Sequence, residues 1–232
     1  MRIRSVIFAL AAFAVMTTAS RAAAPGSDFD PESWPAIWRS YDVDPAIAES
    51  VVWPELQYYS GLRDVMETAA NYGGMDLSIG IFQMKPSFVE ELETAWGRSG
   101  MAERYQLFFD TSDTAAARRK RLNRMRDDEW QVRYIALFLR LLYDSYGSFN
   151  DAGVRVQNGL ETLPIEDQVR LAANAYNRGC AWADSGCGSV DSLRVNAYEE
   201  QFPRVVIPTS ATRQYCYSTL AWEHYQDITG KP

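Results

Sequence analysis

Two neighbouring stretches decide how this chain is read: Trp53-Pro54-Glu55-Leu56-Gln57-Tyr58-Tyr59-Ser60 and, a short polar segment later, Ser78-Ile79-Gly80-Ile81-Phe82-Gln83-Met84-Lys85-Pro86. An amphipathic run carrying Ala46, Ile47, Val51 and Val52 leads into the first stretch. Pro54 predicts the end of that helix, because proline lacks the N–H a helix interior needs and biases its predecessor away from helix. Glu55 is therefore expected at a helix boundary among Trp53, Tyr58 and Tyr59. Dehydration by such neighbours disfavours a carboxylate and raises its pKa toward the range of a general acid. The helix dipole adds to this if Glu55 follows the C-terminus of the preceding helix, and opposes it if Pro54 opens a new turn.

Outward from there, the chain begins like an export signal: Arg2 and Arg4, an apolar run from Val6 to Val15, and small residues closing with Ala22-Ala23-Ala24 before Pro25. The run is too short for a membrane span, and no cysteine follows it for lipid attachment. Residues 1–24 are read as the signal, 25–43 as a lead-in and 44–232 as one domain, exported to the periplasm or beyond. The formal net charge is −7 and becomes more negative without Arg2, Arg4 and Arg21, which argues against nucleic acid, whose binding needs phosphates neutralised. Export permits disulfides, and Cys180 and Cys187 bracket a short loop; pairing of either with Cys216 stays open.

The class expected is mainly α with little or no strand. Asp44-Pro45 is a helix start with a capping carboxylate and a first-turn proline. A helix carrying Leu62, Val65 and Met66 runs to the turn Asn71-Tyr72-Gly73-Gly74, and Ser87-Phe88-Val89-Glu90 reads as a capping box. Arg118, Arg119, Lys120, Arg121, Arg124 and Arg126 read as a solvated basic helix face. Trp130, Tyr134, Leu137, Phe138 and Leu141 recur at helical spacing and place the core on a helix from about 128 to 146. Pro164 opens the next helix, through Val169 and Leu171 to Tyr176 and Gly179. A short helix near 192–202, a proline-flanked connection and a helix from about 210 to 228 finish the chain.

Several chemistries are set aside by composition. His224 is the only histidine, so neither a histidine-based triad nor a histidine-rich metal site is favoured. Three cysteines give no zinc spacing, and Gly73-Gly74 lacks the Lys-Ser/Thr of a phosphate loop. No metal and no cofactor are expected. What remains is acid/base work by carboxylates among aromatics, which suits glycosidic bond cleavage.

Glu55, the segment Gly80-Ile81-Phe82-Gln83-Met84-Lys85-Pro86 and Ala175-Tyr176-Asn177-Arg178-Gly179 resemble, in the same order, three motifs of the soluble lytic transglycosylase domain of the lysozyme-like superfamily. Those motifs are a catalytic Glu usually followed by Ser, a Gly-Leu-Met-Gln segment ending near a proline, and Ala-Tyr-Asn-Ala-Gly. The likeness covers roughly residues 44–179. It implies a lysozyme-like fold and cleavage of the β-1,4 bond between N-acetylmuramic acid and N-acetylglucosamine in peptidoglycan, leaving 1,6-anhydromuramoyl ends. It also implies Glu55 as acid and then base, Ser78, Gly80, Ile81, Gln83, Tyr176 and Asn177 at the substrate, and a Tyr176 hydroxyl aimed at the Glu.

The chain departs from the pattern in two ways. Leu56 stands where the family has Ser, and the gap from Glu55 to Gln83 exceeds the family's usual one. Glu67, followed by Thr68 and nearer to Gln83, is a rival for the acid or a second carboxylate; Asp76 is a weaker one. A second carboxylate would favour a water-using muramidase, and the missing Ser leaves a non-catalytic peptidoglycan-binding protein as the third reading.

Overall fold

The computed structural model describes residues 31–58, 61–145, 160–178, 202–206 and 211–231. The expected short helix before Phe202 and the cysteines at 180 and 187 lie outside them. The architecture is mainly α. Its helices are α1 (Trp34–Ser40), α2 (Pro45–Tyr58), α3 (Gly61–Tyr72), α4 (Pro86–Arg98), α5 (Met101–Tyr105), α6 (Ala115–Met125), α7 (Asp128–Ser145), α8 (Ile165–Arg178) and, at the end, α9 (Tyr217–Thr229). Where a proline-flanked connection and an earlier helix start were expected, β1 (Phe202–Val206) and β2 (Ala211–Tyr215) pair antiparallel, Phe202 opposite Tyr215. The β-branched residues Val205, Val206 and Thr212 favour strand there, and Pro203 is tolerable because a two-stranded ribbon is all edge. Among the described residues, no helix is long and apolar enough to cross a membrane.

The core gathers around α7, as its apolar spacing predicts. Tyr134, Ile135, Leu137, Phe138 and Leu142 are fully buried, and α1, α4, α6 and α8 pack against this helix. Part of the lead-in belongs to the core: Trp38 is fully buried, and its indole Nε1 donates to the Val132 carbonyl at 3.1 Å. Asp44 caps α2 as expected, its Oδ1 accepting from the Ala46 N–H at 2.8 Å. Helices α2, α8 and α9 pack mutually, and the Tyr217 hydroxyl donates to the Val51 carbonyl at 3.0 Å.

Pro54 does not stop α2; the helix continues to Tyr58. Proline forfeits the bond to the Ser50 carbonyl, a loss on the order of 3 kcal/mol in a helix interior. Burial offsets it here: Val51 and Val52 are fully buried on the turn before, and Pro54 itself is buried.

The capping box at Ser87 does not form either. Helix α4 starts at Pro86 with no capping bond from the Lys85 side chain. The Asp76 carboxylate reaches this N-terminus instead, accepting from the Ser87 N–H at 2.8 Å and the Ser87 hydroxyl at 2.7 Å. A carboxylate from outside the helix thus takes the place that local spacing assigned to Ser87 and Glu90.

The basic face of α6 is not uniformly solvated. Arg121 and Arg124 turn inward onto Glu93 of α4, which is fully buried. Arg121 Nε donates to Glu93 Oε2 at 3.1 Å, Arg124 Nη2 to Oε1 at 2.6 Å, and the Tyr134 hydroxyl also donates to Oε1. The Arg124 guanidinium further lies over the rings of Phe109 and Trp130. Arg119, Lys120 and Arg126 stay exposed.

Candidate active site

The segment around Gly80 folds into a tight hairpin. Ile79 and Met84 form an antiparallel bridge, the Ile79 N–H donating to Met84 at 2.8 Å and the Met84 N–H to Ile79 at 3.1 Å. Closing it needs left-handed backbone at Gly80 (φ 76°) and at Gln83 (φ 53°). Only glycine adopts such a conformation without strain, so Gly80 serves the turn before any ligand. Phe82, fully buried, meets the Trp34 ring edge-on at 5.3 Å, which seats the hairpin against α1.

Gln131 of α7 grips this hairpin from beneath. Its Oε1 accepts from the Phe82 N–H at 2.9 Å, and its Nε2 donates to the Ile79 carbonyl at 3.1 Å and to the Met125 carbonyl. A Cβ on Gly80 would lie 1.3 Å from that Nε2, so the close approach excludes a side chain there. The Gly80 N–H donates to Asp64 of α3. Gln131 and Asp64 were not singled out from sequence. For Gln131 a signal existed: it is a fully buried polar residue at helical spacing from Tyr134, Ile135 and Phe138, inside the apolar stripe of α7.

Helix α3 presents its polar side to this region. Asn71 is fully buried and clasps Leu77 twice, accepting from its N–H at 2.8 Å and donating to its carbonyl at 2.7 Å. Thr68 is buried, and Asp64 and Glu67 are half-buried beside it. Glu67 thus lies on the inward side of α3 rather than on its solvent face. Asp76 serves as a helix cap, which removes it as a cleft carboxylate.

Tyr176 joins the third segment to the other two. It lies in the last turns of α8, its ring edge-on to Phe88 and Phe138 at 5.9 and 5.5 Å, and its hydroxyl donates to the Phe82 carbonyl at 2.6 Å. Burial above all, and then the negative charge of Glu55, hold its phenol well above the ordinary tyrosine range. The Tyr176 hydroxyl proton goes to the hairpin backbone, so the expected aim of this hydroxyl at Glu55 is not met. Glu55 itself is half-buried in the last turn of α2, where the negative end of the helix dipole disfavours a further negative charge.

The remaining residues fall into place around these. Ile81 is buried, and Ser78 and Gln83 are half-buried on the hairpin. The Gln83 amide Nε2 donates to the Gly80 carbonyl at 2.9 Å, leaving its Oε1 to other partners. Asn177 is half-buried at the end of α8. His224 lies outside this group: its ring stacks on Trp53 at 3.9 Å, and its Nε2 sits 3.3 Å from Glu49 Oε1, so it packs α9 onto α2.

The structure therefore joins Tyr176 to the 79–84 hairpin and sets Asp64 of α3 against that hairpin, while the charge of Glu55 is felt at the Tyr176 phenol. Comparison with protein-family models, with curated proteins and with solved structures finds no match for this chain.

Proposed function

We propose that this protein is an exported peptidoglycan-cleaving enzyme of the lytic transglycosylase type, with a lysozyme-like fold and Glu55 as its single acid/base. The observation that carries the reading is the bond from the Tyr176 hydroxyl of the third segment to the Phe82 carbonyl of the 79–84 hairpin, which joins two of the three motif segments. In the proposed reaction the Glu55 carboxylic acid protonates the glycosidic oxygen as the C1–O4 bond breaks. The resulting carboxylate then takes the proton of the muramoyl C6 hydroxyl as that oxygen closes onto C1. Atoms balance without water, and the nucleophile is delivered by the substrate itself.

The hairpin's inward bonds limit what it can offer a sugar. Gly80 N–H, Phe82 N–H and the Phe82 carbonyl are committed to Asp64, Gln131 and Tyr176. Contacts to an acetamido group are left to the Gln83 amide oxygen, the Ile81 backbone and Ser78. Asn177 closes the end of α8 beneath the glycan.

A water-using muramidase is the second reading, favoured by one observation: Asp64 and Glu67 lie on the inward side of α3, where a second carboxylate could activate water. Digestion of purified sacculi followed by mass analysis of the muropeptides separates the two. The expected products are one water lighter than reducing ends. Reducing ends would replace the transglycosylase by the muramidase, and sacculus binding without fragments would leave only a glycan-binding role.

A further inference from the structure

Helix α3 is built inside out. Asp64, Glu67, Thr68 and Asn71 point toward the body, whereas Val65, Met66, Ala69 and Tyr72 form the outward stripe. Val65 and Met66 are each 67% exposed, and Met75 and Leu77 on the following loop extend the apolar strip at 59% and 38%. An ordinary surface helix places these two faces the other way round, so a strip of this kind marks a contact surface.

The neighbouring helix supplies the strip's charge. Arg118 of α6 donates to the carbonyls of Asn71 and Met75, each at 3.3 Å, and so sits at the strip's base. The Tyr72 hydroxyl donates to Asn123 at 2.7 Å and lies 3.4 Å from Arg126. Arg119 and Asn123 share one line along α6, Arg126 continues it at the C-terminal cap, and Arg119 and Arg126 are exposed. Lys120 is drawn aside to Asp110 at 3.4 Å. In a chain of net charge −7, a cationic edge beside an exposed apolar strip runs against the average.

We propose that this outer face of α3, with the Arg118, Arg119 and Arg126 edge of α6, docks the protein onto an anionic phospholipid surface. Apolar side chains on one helix enter the headgroup boundary while the flanking cations meet lipid phosphates. The exposed Arg119 and Arg126 beside the apolar strip match lipid phosphates in charge, which favours an anionic membrane surface as its occupant. The proposal does not depend on the catalytic reading, because the carboxylates of α3 face the opposite way.

Sedimentation of the full chain with phosphatidylcholine vesicles containing phosphatidylglycerol, against phosphatidylcholine alone, tests it. The expected result is binding to the anionic vesicles that weakens in high salt. Val65→Asp with Met66→Asp, both at exposed positions, should lower it about tenfold. Arg119→Glu with Arg126→Glu should remove the preference for anionic lipid, with helical circular dichroism unchanged in both double variants. Equal binding by parent and variants, or no preference between the vesicles, overturns the proposal. So does a Val65→Cys thiol that resists labelling in the vesicle-free protein, since the chain itself or a second copy would then cover the strip.

Discussion

Two glutamates beside tyrosines, Glu93 and Glu55, are wired in opposite ways. Glu93 is fully buried, and its two oxygens are taken up by Arg121, Arg124 and the Tyr134 hydroxyl, so it joins α4, α6 and α7 and offers nothing to a substrate. Glu55 is half-buried at the end of α2, and the neighbouring Tyr176 gives its proton to the Phe82 carbonyl instead. Two arginines and a tyrosine hydroxyl on one buried carboxylate make Glu93 structural. Tyr176 instead commits its proton to the hairpin backbone, and so fixes the hairpin that would hold the sugar.

Removing Glu93 should do the most damage to folding. Glu93→Ala leaves Arg121 and Arg124 without their buried partner and should cost about 3–5 kcal/mol. Urea denaturation followed by circular dichroism measures it; a loss under about 1 kcal/mol would make the cluster a surface pair in energetic terms. Gly80→Ala comes next, because it meets both the left-handed backbone at φ 76° and Gln131 Nε2. The expected loss is about 2–4 kcal/mol from strain and broken bonds, together with sacculus-cleaving activity. A variant as stable as the parent would mean that the grip of Gln131 on the hairpin is not what orders it.

The smallest effect belongs to Tyr176→Phe. Losing the bond to Phe82 should cost about 1 kcal/mol at neutral pH. The folded protein holds this phenol above the ordinary value of 10.0, through burial and then through Glu55, and burial does the same for Tyr134. A raised folded value means that the contribution is intact below about pH 10 and lost as the pH climbs through the folded value. Urea midpoints measured between about pH 7 and 11 should therefore fall on the alkaline side, and Tyr176→Phe should flatten part of that fall. An unchanged alkaline slope would show that Tyr176 does not carry its share.

The parts of this fold that local pattern could reach were those where one element decides its own fate. The apolar repeat of α7 and the Asp44 cap of α2 are of that kind, because spacing and capping act within a few residues. The passage of α2 through Pro54 was not legible: it depends on burial against α8 and α9, which tertiary packing supplies and proline's local rule cannot see. The same holds for Asp76, which caps α4 from 11 residues away, and for Glu93, whose partners lie on two other helices. Of the residues read as motif positions, Gly80 and Tyr176 meet at the 79–84 hairpin, Gly80 in its turn and Tyr176 through the Phe82 carbonyl. Asp64 and Gln131, which hold that hairpin, act through backbone groups distant in sequence, so local spacing could mark Gln131 as a polar residue in an apolar stripe but not name its partners.

The rate at which Glu55→Gln and Glu67→Gln release fragments from purified sacculi, compared with the parent at equal folded concentration, decides which glutamate is the acid. Loss of an acid/base should lower the rate about 100-fold or more for Glu55→Gln, with the melting temperature nearly unchanged, while Glu67→Gln keeps most of its activity. A Glu55→Gln variant that still cleaves, beside an inactive Glu67→Gln, would move the chemistry from the end of α2 to the inner side of α3 and contradict the assignment made here.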